Sequence, residues 1–457
     1  MSARMVVIGG GLAGITAALA AADTGVEVTL LEGRPRLGGA TFSLRRDDMW
    51  LDNGQHVFLR CCTEYISFLE RIGSADKVYL QPRMDVPVRT PWGTRTRLRR
   101  SALPAPLHLS SALARYPLLT MAGRARVGRA ALALRKLDPA DPALDELTFA
   151  AWLDRFGVTA REREAMWDLI GIATLNLPAT EASLAMAVKV FRTGVLDRND
   201  GADIGWSLVP LQELHGDAAT RALARAGVRT HLRTRVDTLD IGAGGFSIVA
   251  GGERFEADAV VLAVPHYDAA RLLPPGALLL GDMPADPTLL AGLGTSPIVN
   301  LHVVYDRPVL DVPLAAGIGG PVQWMFDRSA GHGLAAGRYV AVSLSAAGRE
   351  IDLTSAQLRD RFVPELARVL PSARDARVER FVVTKERAAT FRPAPGSGRL
   401  RPGPRTALPG LALAGAWTAT GWPATMEGAV RSGLSAAHEA LPYLGRTRAI
   451  PERTTPL

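Results

Sequence analysis

Cysteine is nearly missing from this chain: two in 457 residues, and those two adjacent, Cys61 and Cys62. That excludes a disulfide scaffold and a four-cysteine metal site. Sequence neighbours rarely bridge, so both read as free thiols in a reducing compartment. The eight histidines show no zinc spacing, and no metal is expected. No GxSxG elbow occurs, and Gly38-Gly39 lacks the Lys-Ser/Thr of a P-loop. No fully apolar run reaches the length of a membrane-spanning helix. Arg4 followed by Met5–Gly14 has the look of a signal peptide, but three consecutive glycines break its apolar core, so it reads as mature sequence. Acid is absent from one long stretch. Between Val86 and Leu137 there is no Asp or Glu, yet eleven basic residues, more than the whole chain's net charge of +8. Leu107, Leu113, Met121 and Leu132 are interleaved with them. Such a segment suits an anionic membrane surface, which would place the protein in the cytoplasm, peripheral on the inner face of the cell membrane. The alternative is a solvated helical face in an arginine-rich protein. Aromatic stacking platforms are not interleaved with the charges, so nucleic acid is not an expected partner.

The opening residues are more informative. Met5–Ile8 reads as a buried strand, Gly9-Gly10-Gly11-Leu12-Ala13-Gly14 as a turn, Ile15–Ala22 as a helix, and Val26–Leu31 as a second strand closing on Glu32. In such a unit Gly9 permits the tight turn, Gly11 lets the backbone approach a pyrophosphate, and Gly14 lets helix pack on strand. The helix start offers free N–H groups and partial positive charge. Glu32 follows Gly14 by 18 residues, where an acid accepts ribose hydroxyls. An acid there favours an unphosphorylated ribose, hence FAD or NAD. Two features choose FAD. A second glycine pair, Gly38-Gly39, turns the chain back over the phosphates. Later strands also return to the same domain: His231–Leu239, Phe246–Ala250, Glu253–Val264 and Leu411–Gly415, before a helix starting near Glu427.

The expected fold is α/β: a Rossmann-like FAD-binding domain assembled from discontinuous segments, with an inserted α+β substrate domain. The expected division is 1–80, 206–265 and 395–445 for the nucleotide domain, 81–205 for a helical, basic segment, 266–394 for the substrate sheet, and 446–457 for a disordered tail. Within the insert, Phe149, Trp152, Leu153 and Phe156 have helical spacing. Thr159–Glu162 is a capping box before a helix over Met166–Leu175, and Ile298–Tyr305 and Tyr339–Leu344 read as strands.

The fingerprint, the Glu32–Gly39 run and the Gly415 region together resemble the amine-oxidase and phytoene-desaturase superfamily of flavoproteins. Asp52-Asn53-Gly54-Gln55-His56, Ser296–Asn300, Gln323–Arg328, Lys385–Phe391 and Thr420–Val430 narrow the resemblance to the hydroxysqualene dehydroxylases of hopanoid synthesis. It covers roughly residues 4–440. The resemblance implies FAD bound by Gly9, Gly11, Leu12, Ala13, Gly14, Glu32, Gly33, Arg34, Gly38, Gly39, Ala40, Thr41, Val236, Gly415, Ala416, Trp417, Gly421, Met426, Glu427 and Ala429. It implies reduction of a long isoprenoid alcohol, hydroxysqualene, with electrons from an unidentified donor. Asp52 and His56 are the candidate proton donors; the competing reading is that Asp52 caps a turn and His56 packs beside the ring. Trp417 and Trp422 are candidate walls for that ring, or plain core residues.

The chain departs from the superfamily at two positions. Ala416 stands where an aspartate is common and Ala40 where an arginine is common, each change removing a charge-assisted bond of roughly 1.5–3 kcal/mol. Either FAD binds more weakly, or Glu427 and Arg36 compensate. Other readings stay open: a carotenoid-type desaturase or isomerase, an amine oxidase (disfavoured, since only Lys77, Lys136, Lys189 and Lys385 are available as the lysine such sites often use), and a flavin-binding protein that has lost catalysis.

Overall fold

The apolar run after Arg4 becomes the middle strand of a five-stranded parallel sheet. In the computed structural model, which describes residues 3–242 and 244–446, β1 (Arg4–Ile8) lies between β2 (Glu27–Leu31) and the strand Ala259–Leu262. Arg229–His231 and Leu411–Leu413 form the two edges. A parallel sheet is covered on both faces, so its central strands are largely apolar. Met5, Val6, Val7 and Ile8 are each at most 3% exposed. Helix α1 (Leu12–Ala22) follows the glycine turn, and its alanine-rich surface is buried nearly all round. It packs against the C-terminal helix Met426–Ala440, where a Cβ on Gly433 would stand 2.2 Å from the Ala13 carbonyl oxygen. No side chain fits that seam.

Two of the expected strands divide. His231–Leu239 splits: Arg229–His231 joins the parallel sheet, and Val236–Gly242 starts a three-stranded antiparallel one. Arg233 between them takes φ +57°. Glu253–Val264 splits at Asp258, whose carboxylate accepts from the Arg4 amide at 2.8 Å. Glu253–Ala257 stays in the antiparallel sheet while Ala259–Leu262 enters the parallel one.

The other lobe holds a seven-stranded sheet in the order Val378–Thr390, Ser296–Tyr305, Tyr339–Leu344, Trp324–Asp327, Leu314–Gly317, Asp85–Arg89, Arg95–Arg99. The last two strands correct the expectation that 81–205 is helical. Val86, Val88 and Leu98 are buried while Arg95, Arg97 and Arg99 are exposed on the edge strand. An arginine-rich edge resists further strand addition. The Thr159–Glu162 capping box forms, but the chain then widens into a π-type turn over Arg163–Asp168 before the helix Leu169–Leu175. No helix among the described residues is long and apolar enough to cross a membrane. The tail expected to be disordered lies, beyond Arg446, outside the described residues.

Candidate cofactor and substrate site

The glycine turn is built as the spacing requires. Gly9 takes φ +110°, and a Cβ there would lie 2.3 Å from the Ala263 carbonyl oxygen. A Cβ on Gly14 would lie 1.9 Å from the Gly9 carbonyl oxygen. Gly11 differs: the nearest atom to its Cβ would be the Gly39 Cα at 3.7 Å. Leu12 and Ala13 open α1, and no side chain caps that helix and no acid stands in its first turn. Its free amides and positive end are left for an anion. Glu32 ends β2 and ties the site together. Its carboxylate accepts from the Gly10 amide and the Arg34 amide, both at 2.7 Å, leaving lone pairs for a ribose diol. Gly33 and Arg34 form the exposed turn beyond it.

The second glycine pair closes over the first. The Gly38 amide donates to the Gly10 carbonyl at 2.9 Å, and a Cβ on Gly39 would meet Gly11 Cα at 2.7 Å. Ala40 is exposed, while Thr41 turns its hydroxyl back to the Gly38 carbonyl. On the far side, Gly415 and Ala416 follow the strand Leu411–Leu413, with the Gly415 amide donating to Ser432 Oγ at 2.8 Å. Gly421, Met426 and Ala429 remain partly accessible at the start of the C-terminal helix. An uncapped helix start beside a diol-accepting carboxylate, with no room for a Cβ at Gly9, Gly14 or Gly39 and open space at Gly11, fits a dinucleotide.

Three expected contacts are placed differently. Glu427 is 1% exposed, and its carboxylate accepts from the Tyr65 amide at 2.8 Å and from Arg431 Nε at 2.7 Å. It serves the start of helix Thr63–Ile72, so it does not replace the aspartate missing at Ala416. Trp417 is a core residue: its indole N–H donates to the Val264 carbonyl at 2.9 Å, and its ring lies under Gly415. Val236 is likewise buried in that core, and its carbonyl accepts from Arg271 Nη2 at 3.1 Å. Arg36 is better placed. It reaches the Gly39 carbonyl at 3.4 Å and stacks over Phe42, and burial brings it down to about 10, still protonated at neutral pH.

Asn53, absent from the expected set, joins this cleft to the second lobe. Its side-chain amide donates to the Ala40 carbonyl at 2.9 Å and to Glu386 Oε1 at 3.2 Å. Its own carbonyl accepts from Asn300 Nδ2 at 2.8 Å and Thr384 Oγ1 at 3.1 Å. Asp52 beside it is spent on structure. It accepts from Ser43 Oγ at 2.6 Å, the Leu211 amide at 3.0 Å and Arg328 Nη2 at 2.9 Å. The Asp52–Arg328 pair stands between a cavity of 510 Å³, walled by Trp50, Tyr79, Trp206 and Leu208, and a narrow crevice that reaches Gln55 and His56. His56 Nδ1 donates to the Gly54 carbonyl at 3.1 Å, which leaves Nε2 as an acceptor. Burial holds the imidazole below its ordinary value despite the nearby charges of Asp52 and Glu386, so it is neutral at pH 7. Among the described residues no cluster can hold a metal ion.

The model of flavin-containing amine oxidoreductases matches residues 12–441. The chain belongs to the flavin-containing amine oxidoreductase family. It is an FAD-dependent oxidoreductase. Among its relatives is a hydroxysqualene dehydroxylase of Rhodopseudomonas palustris, 29% identical over 96% of this chain and 98% of that protein. A hydroxysqualene dehydroxylase of Zymomonas mobilis is 25% identical over 96% and 99%. A 15-cis-phytoene desaturase of Narcissus pseudonarcissus is 24% identical over 94% and 78%. A solved structure of putrescine oxidase superposes with a TM-score of 0.73 at 20% identity, over 97% of this chain and 99% of that one, which supports the fold.

Proposed function

We propose that this family member reduces hydroxysqualene to squalene. The observation that carries the reading is end-to-end likeness to hydroxysqualene dehydroxylases in both chains' lengths. Hydroxide is a poor leaving group, so the C–O bond breaks with protonation and oxygen departs as water. The carbon left behind needs a hydride, which reduced FAD would supply when bound. Alcohol, proton and hydride thus balance hydrocarbon and water.

The chain's own share is binding, dryness and the proton. The aromatic-walled cavity beside Asp52–Arg328 receives the isoprenoid, and the faces of Tyr79 and Trp206 stabilise positive charge along it. His56 Nε2, in the crevice on the other side of the Asp52–Arg328 pair, is the atom available to take up and deliver the proton, with the Gly54 carbonyl, Asp52 and Glu386 favouring the protonated form against burial. Asp52 holds the wall. Exposed Leu103, Leu107 and Met121, beside exposed Arg99 and Arg115, are the surface by which the protein rests on an anionic leaflet to collect its substrate.

Anaerobic mixing of photoreduced holoprotein with hydroxysqualene tests this: flavin reoxidation should track squalene formation by mass spectrometry. Intact hydroxysqualene would refute it. A second reading, carotenoid desaturation, is favoured by the phytoene desaturase relative; there oxidised enzyme would be bleached by phytoene instead. Binding to anionic but not zwitterionic vesicles, lost in salt, tests the membrane surface; equal binding to both, or binding to neither, would refute it.

A further inference from the structure

Arg401 is a buried cation without a carboxylate. It is 6% exposed. Its guanidinium donates to the carbonyls of Trp417 at 3.2 Å, Ala416 at 3.4 Å, Thr418, and Trp422 at 2.7 Å, and lies over the Phe391 ring. Buried charges are ordinarily paired, because desolvation is otherwise uncompensated. Here four backbone dipoles replace a counter-ion, and no ion pair to Arg401 exists among the described residues. The acid that acts on it at longer range, Asp145, is already bound by Ser183 Oγ at 2.5 Å and the Gly398 amide at 2.7 Å. Burial lowers the guanidinium only to about 10, so the charge persists at neutral pH.

The loop that Arg401 grips is the one that brings Ala416 and Gly421 to the cofactor cleft. Lys189 adds positive charge over the Trp422 ring at 4.8 Å, while Arg431, 5.2 Å from that ring, is paired with Glu427. The start of the C-terminal helix is capped by neutral Thr425, and the acid in its first turn, Glu427, is taken up by Arg431 and the Tyr65 amide. The family's usual aspartate in this loop is Ala416, so nothing in it cancels the field. An oxidised isoalloxazine ring is neutral, whereas two electrons and one proton leave it an anion. We infer that Arg401 is the countercharge for that anion: a positioning residue, held behind the 416–422 loop, that makes reduced FAD bind more tightly than oxidised FAD. This rests on the reading that residues 415–429 face the ring.

The test measures the midpoint potential of bound FAD and the affinity for oxidised FAD in holoprotein variants. Arg401→Met should weaken reduced relative to oxidised FAD about tenfold, a fall of about 30 mV for a two-electron couple. Arg401→Lys, which keeps the charge, should stay near the wild-type potential. Asp145→Asn, which removes the opposing acid and leaves Arg401 in place, should shift the potential upward and carries the test if Arg401→Met fails to fold. An unchanged potential in Arg401→Met, an equal fall in the Lys variant, or an unchanged potential in Asp145→Asn would overturn the inference. Ala416→Phe separates the two readings. If it leaves FAD affinity untouched, the loop does not face the ring and the underlying assignment fails; if it weakens binding while Arg401→Met leaves the potential alone, only the role of Arg401 fails.

Discussion

Gly11 and Gly14 lie three residues apart in the same turn, yet alanine at each should have opposite consequences. Gly14 has no space: its Cβ would sit 1.9 Å from the Gly9 carbonyl oxygen, a backbone atom that cannot swing aside. Overpacking of this kind costs about 3 kcal/mol, and it acts on the protein with or without cofactor. Gly11 has space. Its backbone is φ −78°, ψ 178°, open to any residue, and its Cβ would make ordinary contact with Gly39 at 3.7 Å. Loss of glycine at the helix start costs the apoprotein about 0.5–1 kcal/mol. The new methyl instead occupies the cleft where the phosphates approach. Losing one charge-assisted hydrogen bond, about 1.5–3 kcal/mol, weakens FAD by roughly tenfold to a hundredfold. Thermal melts of apoprotein and fluorescence titration with FAD separate the cases. Gly11→Ala should melt near wild type and bind poorly; Gly14→Ala should melt early even without FAD. A Gly11→Ala variant that binds FAD as wild type does would show that the phosphates do not approach here, and refute the reasoning.

Other perturbations read other parts of the molecule. His302 is buried between Tyr339 and Thr384, and burial depresses it to about 4. The unfolded chain therefore binds its proton first on acidification. His302 contributes fully above about pH 6.5 and loses roughly 3 kcal/mol as pH falls to 4, and His302→Gln should flatten that part of a denaturation-versus-pH curve. Asp52→Ala strands Arg328 and should cost about 3 kcal/mol in urea unfolding; a variant as stable as wild type would deny Asp52 its structural role. Asp203, fully buried and bound by Arg60, Arg100 and the Met84 amide, should be as costly to truncate, about 3–5 kcal/mol. His56→Gln should lower turnover while leaving FAD affinity and melting near wild type, and equal turnover would remove it from the proton path.

What the sequence makes legible is local. The strand, the turn glycines and Glu32 lie within one short unit whose spacing is dictated by its own backbone, so each could be read without knowing the rest. The C-terminal strand Leu411–Leu413 and the helix after it were legible for the same reason. Side-chain roles were not, because the partners come from far away. Glu427 meets Tyr65 across 362 residues, Asp52 meets Arg328 across 276, and Asn53 meets Glu386 across 333. A carboxylate in a motif carries no mark of whether a ligand or a distant amide will claim it. The strands at Asp85–Arg89 and Arg95–Arg99 were hidden by arginine, which masks alternation when only Val86, Val88 and Leu98 mark the inner face. The break at Asp258 was hidden because its cause, the Arg4 amide, is at the other end of the chain.

The order of strands in the parallel sheet has a consequence for biogenesis. One edge is laid by Leu411–Leu413, and the helix that seals α1 comes later still. A ribosome must therefore deliver everything from β1 through Ala440 before that strand and α1 acquire their last neighbours. Until then the greasy opening strand waits half-covered, so chaperone holding and the supply of free FAD at chain release, more than translation speed, should set the yield of active protein.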